Sequence, residues 1–105
     1  MPCSRNDVVL VPIPFSDLTS HKVRPAIVIG KGTFEGDLIV VPVTSRIFQS
    51  DLVLEDWAVA GLNVPSGIKG QISTIDHSFV RKVIGTLSSQ DTHRLDEKLR
   101  LWLEL

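Results

Sequence analysis

The chain has 105 residues, 43% hydrophobic and 22% charged, with 11 Lys+Arg against 12 Asp+Glu and a net charge of −1. That length fits one domain, expected to span residues 1–105, and the composition excludes both a disordered chain and a coiled coil. The balanced charge excludes the global basic footprint of a duplex-DNA binder, so any nucleic-acid contact has to be local.

The N-terminus, Met1-Pro2-Cys3-Ser4-Arg5, lacks the basic-then-apolar pattern of a secretion signal, which makes the cytoplasm the expected compartment. Cys3 has no second cysteine to pair with and reads as a thiol on a loose chain end. Val8-Val9-Leu10-Val11 is the first β-strand, bounded by Asn6-Asp7 and by Pro12 and Pro14. Ala26-Ile27-Val28-Ile29 is the second and Leu38-Ile39-Val40-Val41 the third. Between them Gly30, Gly32 and Gly36 mark a long-looped antiparallel hairpin. Unbroken apolar runs of this kind stop at four residues, far short of the roughly 20 that a membrane-spanning helix needs.

Leu52-Val53-Leu54 is a possible short strand, and Ala60 to Gly67 reads as loop. Gln71 to Ile75 alternates polar and apolar residues, and Lys82 to Leu87 is a further strand. The period then changes. Ser88-Ser89-Gln90-Asp91 has the form of a helix start, and Leu95, Leu99 and Trp102 or Leu103 recur at helical spacing, predicting an amphipathic helix over about 89–103. Five or six short strands and one terminal helix predict a mainly β fold, a small, strongly curved sheet or barrel.

Phosphate-loop, zinc-peptidase, nucleophile-elbow and EF-hand signatures are absent from the sequence. The three histidines, His21, His77 and His93, are widely separated, and no metal site is expected from them. Two short stretches carry chemistry. In Ser20-His21-Lys22-Val23-Arg24-Pro25, the proline biases Arg24 towards extended backbone and sets it at the rim of a buried strand. The plain alternative is a surface arginine paired with a carboxylate. In Pro42-Val43-Thr44-Ser45-Arg46, two hydroxyls and a guanidinium leave the next strand together, a suitable phosphate cradle or an ordinary self-capped turn. Antiparallel pairing of the two strands brings Arg24 and Thr44 to one edge, where both can address one phosphate.

These segments, taken in order, resemble the MazF/PemK toxins of type II toxin–antitoxin systems. The likeness runs through Asp7 to Leu18, Lys22 to Ile29, Gly36 to Val40, Pro42 to Arg46, Asp56 to Leu62, Gln71 to Asp76 and Ile84 to Ser88. The resemblance implies a small SH3-like barrel with a C-terminal helix, and a homodimer. It implies a cofactor-free, metal-independent endoribonuclease acting on single-stranded RNA, often at short sequences, and leaving 2′,3′-cyclic phosphate and 5′-hydroxyl ends. It also implies a cognate antitoxin whose disordered tail covers the RNA groove. The family's catalytic arginine falls on Arg24 and its catalytic threonine or serine on Thr44, with Ser45 beside it.

Two positions depart from the family pattern. Asn6 stands where a glycine usually precedes the first strand's Asp; asparagine tolerates a left-handed turn, so little change is expected. In Ile68-Lys69-Gly70-Gln71, Gly70 replaces a common acid, and Lys69 is displaced by one from the usual basic position. Arg24, always protonated, suits phosphorane charge but is a poor base. His21 is therefore the candidate for assisting proton transfer. Lys22, Ser45, Arg46, Lys69 and Gln71 are candidate RNA contacts, with Phe15 or Phe48 as stacking faces. Competing readings are a non-enzymatic toxin on the same type of barrel, resembling the gyrase poison CcdB, and a catalytically silent binding module.

Overall fold

The computed structural model describes residues 3–12 and 23–105. Among them are seven strands and one α-helix. The strands are β1 (Asp7–Pro12), β2 (Val23–Lys31), β3 (Asp37–Thr44), β4 (Leu52–Val53), β5 (Gly67–Ile68), β6 (Ser73–Asp76) and β7 (Lys82–Thr86), followed by α1 (Ser89–Leu103). All pairings are antiparallel, in the order β4-β5-β3-β2-β1-β7, with β6 also on β3. The expected mainly β architecture with a C-terminal helix is present, and the helix occupies the predicted 89–103.

The centre of the sheet is the stretch where β-branched residues are densest. β1 pairs β2 from Val8↔Ile27 to Pro12↔Val23, and β2 pairs β3 from Ala26↔Pro42 to Lys31↔Leu38. One extra residue enters β2 between Val28 and Gly30, a bulge that adds local bend and twist. β3 changes partner along its free edge. Its first half pairs β6 (Asp37↔Asp76 to Val40↔Ser73), and its last two residues pair β5 (Val43↔Ile68, Thr44↔Gly67). A strand shared in this way curls a sheet into a barrel-like wrap. The far sides approach where Ala60-Gly61 lies on Ile84-Gly85, so closely that a Cβ on Gly61 would overlap the Ile84 carbonyl. Gly61 also has φ +89°, so glycine answers both demands there.

Strands buried on both faces divide their side chains between two cores. Val8, Ile27, Val41, Val43, Ile68, Leu95 and Leu99 pack under α1. Val9, Val11, Ala26, Val28, Leu38 and Val40 form the second core, with Val83 against it. Cys3 belongs to this second core and is 8% exposed, which corrects the expectation of a thiol on a loose end. Burial pushes the Cys3 thiol pKa up, and the nearby Asp7 carboxylate pushes it the same way.

Helix α1 begins where its sequence signals it. The Ser88 Oγ accepts the Asp91 N–H at 3.1 Å and donates to Asp56 Oδ2 at 2.7 Å. The buried Asp91 carboxylate accepts the Glu55 and Asp56 N–H groups and a 2.9 Å bond from Arg94 Nη1, tying the helix to the chain after β4. Glu104 closes the helix in the left-handed region, φ 56°. Asn6, in the position that resembles a family glycine, has φ 76°, as its tolerance of that region led us to expect.

Candidate functional site

Arg24 is the second residue of β2 and Thr44 the last of β3. The β2–β3 register reads Val28↔Val40, Ile27↔Val41, Ala26↔Pro42. Carried two residues further, it sets Arg24 level with Thr44 on adjacent strands, roughly 5 Å apart at the backbone. Period two also fixes the face. Arg24 continues Ala26 and Val28, and Thr44 continues Pro42 and Val40, so both extend the second core outward to its rim. Arg24 is exposed and Thr44 half-buried.

The turn after β3 holds Thr44 in place. Thr44 Oγ1 accepts the Arg46 N–H at 3.0 Å, a bond that does not use the hydroxyl proton. Ser45 and Arg46 are exposed beside it. The chain then makes a single 3-10 turn, Ile47–Gln49, with Phe48 fully exposed. Core packing is thereby excluded for Phe48, and its ring stands within four residues of Thr44.

β5 continues the platform on the other side of β3. Gly67 pairs Thr44, and the Lys69 N–H donates to the Pro42 carbonyl at 3.0 Å, setting Lys69 one row back from Thr44 on the same face. Gln71 is exposed in the excursion from Lys69, beside Pro42, to Ser73, beside Val40, and so lies back along β3 rather than at its end. Thus Arg24, Thr44, Ser45 and Arg46 come together, with Lys69 next to them and Gln71 apart. His21, Lys22 and Phe15 lie outside the described residues.

Gly70 has a packing reason that its sequence context did not reveal. A Cβ there would sit 3.1–3.3 Å from three atoms of the Trp102 indole. Its N–H donates to Asp51 Oδ2 at 2.7 Å. Asp51 therefore brings a carboxylate to the Lys69–Gln71 segment, a residue that sequence reasoning missed. The pairing of β4 with β5 brings the two together, through Leu52↔Ile68 and the Asp51 N–H donated to the Ile68 carbonyl at 2.8 Å.

Other titratable clusters lie elsewhere. His77 Nδ1 is 3.0 Å from Asp76 Oδ1, at the opposite end of β3, and His93 Nε2 is 3.3 Å from Glu97 on α1. Among the described residues no three His, Cys, Asp or Glu side chains gather as metal ligands, and no helix is long and apolar enough to cross a membrane. No described carboxylate forms a salt bridge with Arg24, Arg46 or Lys69.

A search of curated proteins returned no match. The family model described as "PemK-like, MazF-like toxin of type II toxin-antitoxin system" matches residues 4–103. That span takes in every strand described above and the whole of α1, and on it the chain belongs to the PemK-like, MazF-like toxins of type II toxin–antitoxin systems.

Proposed function

We propose that this chain is an endoribonuclease toxin that cleaves single-stranded RNA at short preferred sequences, using the RNA's own 2′-hydroxyl as nucleophile. Family membership supports the reaction class. The observation that supports the reading at the level of residues is the β2–β3 register, which, continued two residues past Ala26↔Pro42, sets Arg24 level with Thr44.

In this reaction the 2′-oxygen bonds to phosphorus while the bond to the 5′-oxygen breaks. The 2′ proton is removed, and a proton arrives on the departing 5′-oxygen. A 2′,3′-cyclic phosphate and a 5′-hydroxyl result, and no metal-bound water is needed as nucleophile. Arg24 stays protonated through the cycle and neutralises the charge that grows on the phosphorane oxygens. Thr44 donates its remaining proton to a non-bridging oxygen, with Ser45 beside it. Arg46 and Lys69 hold flanking phosphates, Phe48 offers a stacking face for an unpaired base, and Gln71 contacts RNA further along β3. His21 is the proposed proton carrier, with Lys22 and Phe15 as further RNA contacts.

In this reading the toxin is a single-domain cytoplasmic homodimer, restrained by a cognate antitoxin that covers the RNA groove. Dimerisation doubles the local positive field despite the net charge of −1.

The test is incubation of purified protein with mixed single-stranded RNA in chelator. The reading predicts cleavage that falls by about 100-fold or more in Arg24→Ala, the scale for loss of a charge-stabilising donor. Thr44→Ala, losing one hydrogen bond from an uncharged donor to the phosphate, falls by roughly 10-fold or more. Intact RNA alongside growth arrest in cells contradicts it and points to a non-enzymatic toxin.

A further inference from the structure

Lys69 is half-buried, and three hydrogen bonds hold the chain around it. Its own N–H donates to the Pro42 carbonyl of β3 at 3.0 Å. The carbonyl in the same peptide unit, that of Ile68, accepts the Asp51 N–H at 2.8 Å. The following peptide unit is held by Asp51 again, whose Oδ2 accepts the Gly70 N–H at 2.7 Å. Peptide units are rigid planes, so anchoring the two that flank the Lys69 Cα fixes the direction in which its side chain leaves. Asp51 makes two of the three anchoring bonds. The one from its carboxylate holds a glycine, whose backbone is otherwise the freest in the segment.

Asp51 is placed by the chain that leaves Thr44. The 3-10 turn Ile47–Gln49 closes on Ser50, whose Oγ donates to the Ile47 carbonyl at 2.7 Å. Ser50 in turn lies so close to Gly67, the partner of Thr44, that a Cβ on Gly67 would overlap it. The loop that begins at Thr44 thus returns to β5 one residue before Asp51. Asp51 is exposed, yet its carboxylate holds a backbone amide and forms no salt bridge with Lys69 or Arg46. An acid without a cationic partner beside a phosphate site repels RNA. The hydrogen bond and the charge of Asp51 therefore act on RNA binding in opposite directions.

We infer that Asp51 is a positioning residue for RNA: it fixes the root of Lys69, so that the ammonium meets the phosphate next to the one held by Arg24 and Thr44. The inference rests on the ribonuclease reading above and adds to it a residue that touches no RNA. Lysine is a point charge on a flexible stem, and a fixed root narrows the space that its charge explores.

The test is fluorescence anisotropy of a labelled, non-cleavable 2′-O-methyl RNA pool, titrated with full-length protein over a range of salt. Lys69→Ala is expected to lower the slope of log K against log salt by about 0.7, one single-strand phosphate contact. Asp51→Ala is expected to weaken binding by roughly 3-fold, the worth of one hydrogen bond, although it removes a negative charge. Asp51→Asn, which keeps an acceptor and loses the charge, binds at least as tightly as the wild type. Asp51→Glu, which keeps the charge and moves the acceptor by one methylene, binds more weakly, so this pair decides the matter even where Asp51→Ala does not fold. In a Lys69→Ala background, Asp51→Glu has no further effect. Tighter binding in a folded Asp51→Ala, wild-type binding in Asp51→Glu, or an Asp51→Glu loss that persists without Lys69 overturns the inference, while RNA binding by the wild type keeps the ribonuclease reading standing. A wild type that binds no RNA overturns both.

Discussion

Gly70 shows how packing can demand a glycine. Its missing side chain leaves room for the face of Trp102, and its N–H is held by Asp51. An aspartate placed there crowds the indole and sets a second carboxylate beside Asp51. Gly70→Asp is therefore predicted to lower the unfolding free energy by about 1–3 kcal/mol, as overpacking does, measured by urea denaturation. Gly70→Ala, with the crowding but without the charge, is predicted to lose less. Unchanged stability in both variants contradicts this account of the glycine. The sequence could mark Gly70 as a departure but could not supply Trp102 as its cause, because the two residues meet only in the folded chain. Arg24 and Thr44 were legible for the opposite reason. The hairpin that joins them is local, and Pro25 and the end of an apolar run mark their places.

At the scale of elements, legibility followed the strength of the repeating pattern. β1, β2, β3 and β7 each carry a run of β-branched or apolar residues, and α1 carries both its Ser88 cap and its Leu95–Leu99 stripe. β5 carries neither. Gly67 ends the stretch Ala60 to Gly67 read as loop, and with Ile68 it becomes a strand through Val43-Thr44 on one side and Leu52-Val53 on the other. The same dependence on distant partners hid Asp51. The joint between α1 and the chain after β4 shows how a polar group can couple elements. Asp91 is fully buried and accepts from two backbone N–H groups of the other segment and from Arg94. Asp91→Ala leaves those donors without their acceptor. It is predicted to cost about 2–4 kcal/mol in chemical denaturation, with Asp91→Asn losing less because one carbonyl oxygen remains. A loss below about 0.5 kcal/mol in Asp91→Ala, the range of an ordinary surface change, contradicts that role.

Over the whole molecule, two cores leave one face of the central strands with a polar rim, and Arg24 and Thr44 continue that face at period two. The near-neutral charge of the chain and a nucleic-acid substrate are then compatible, since the cations needed are local rather than numerous. In the proposed reaction Arg24 and Thr44 act on one phosphate. A double-mutant cycle on RNA cleavage tests it most directly, comparing Arg24→Ala, Thr44→Ala and the double variant under single-turnover conditions. Shared action predicts a double variant much less impaired than the product of the single losses, a coupling of about 1 kcal/mol or more. Losses that simply multiply, within about 0.5 kcal/mol, would contradict it.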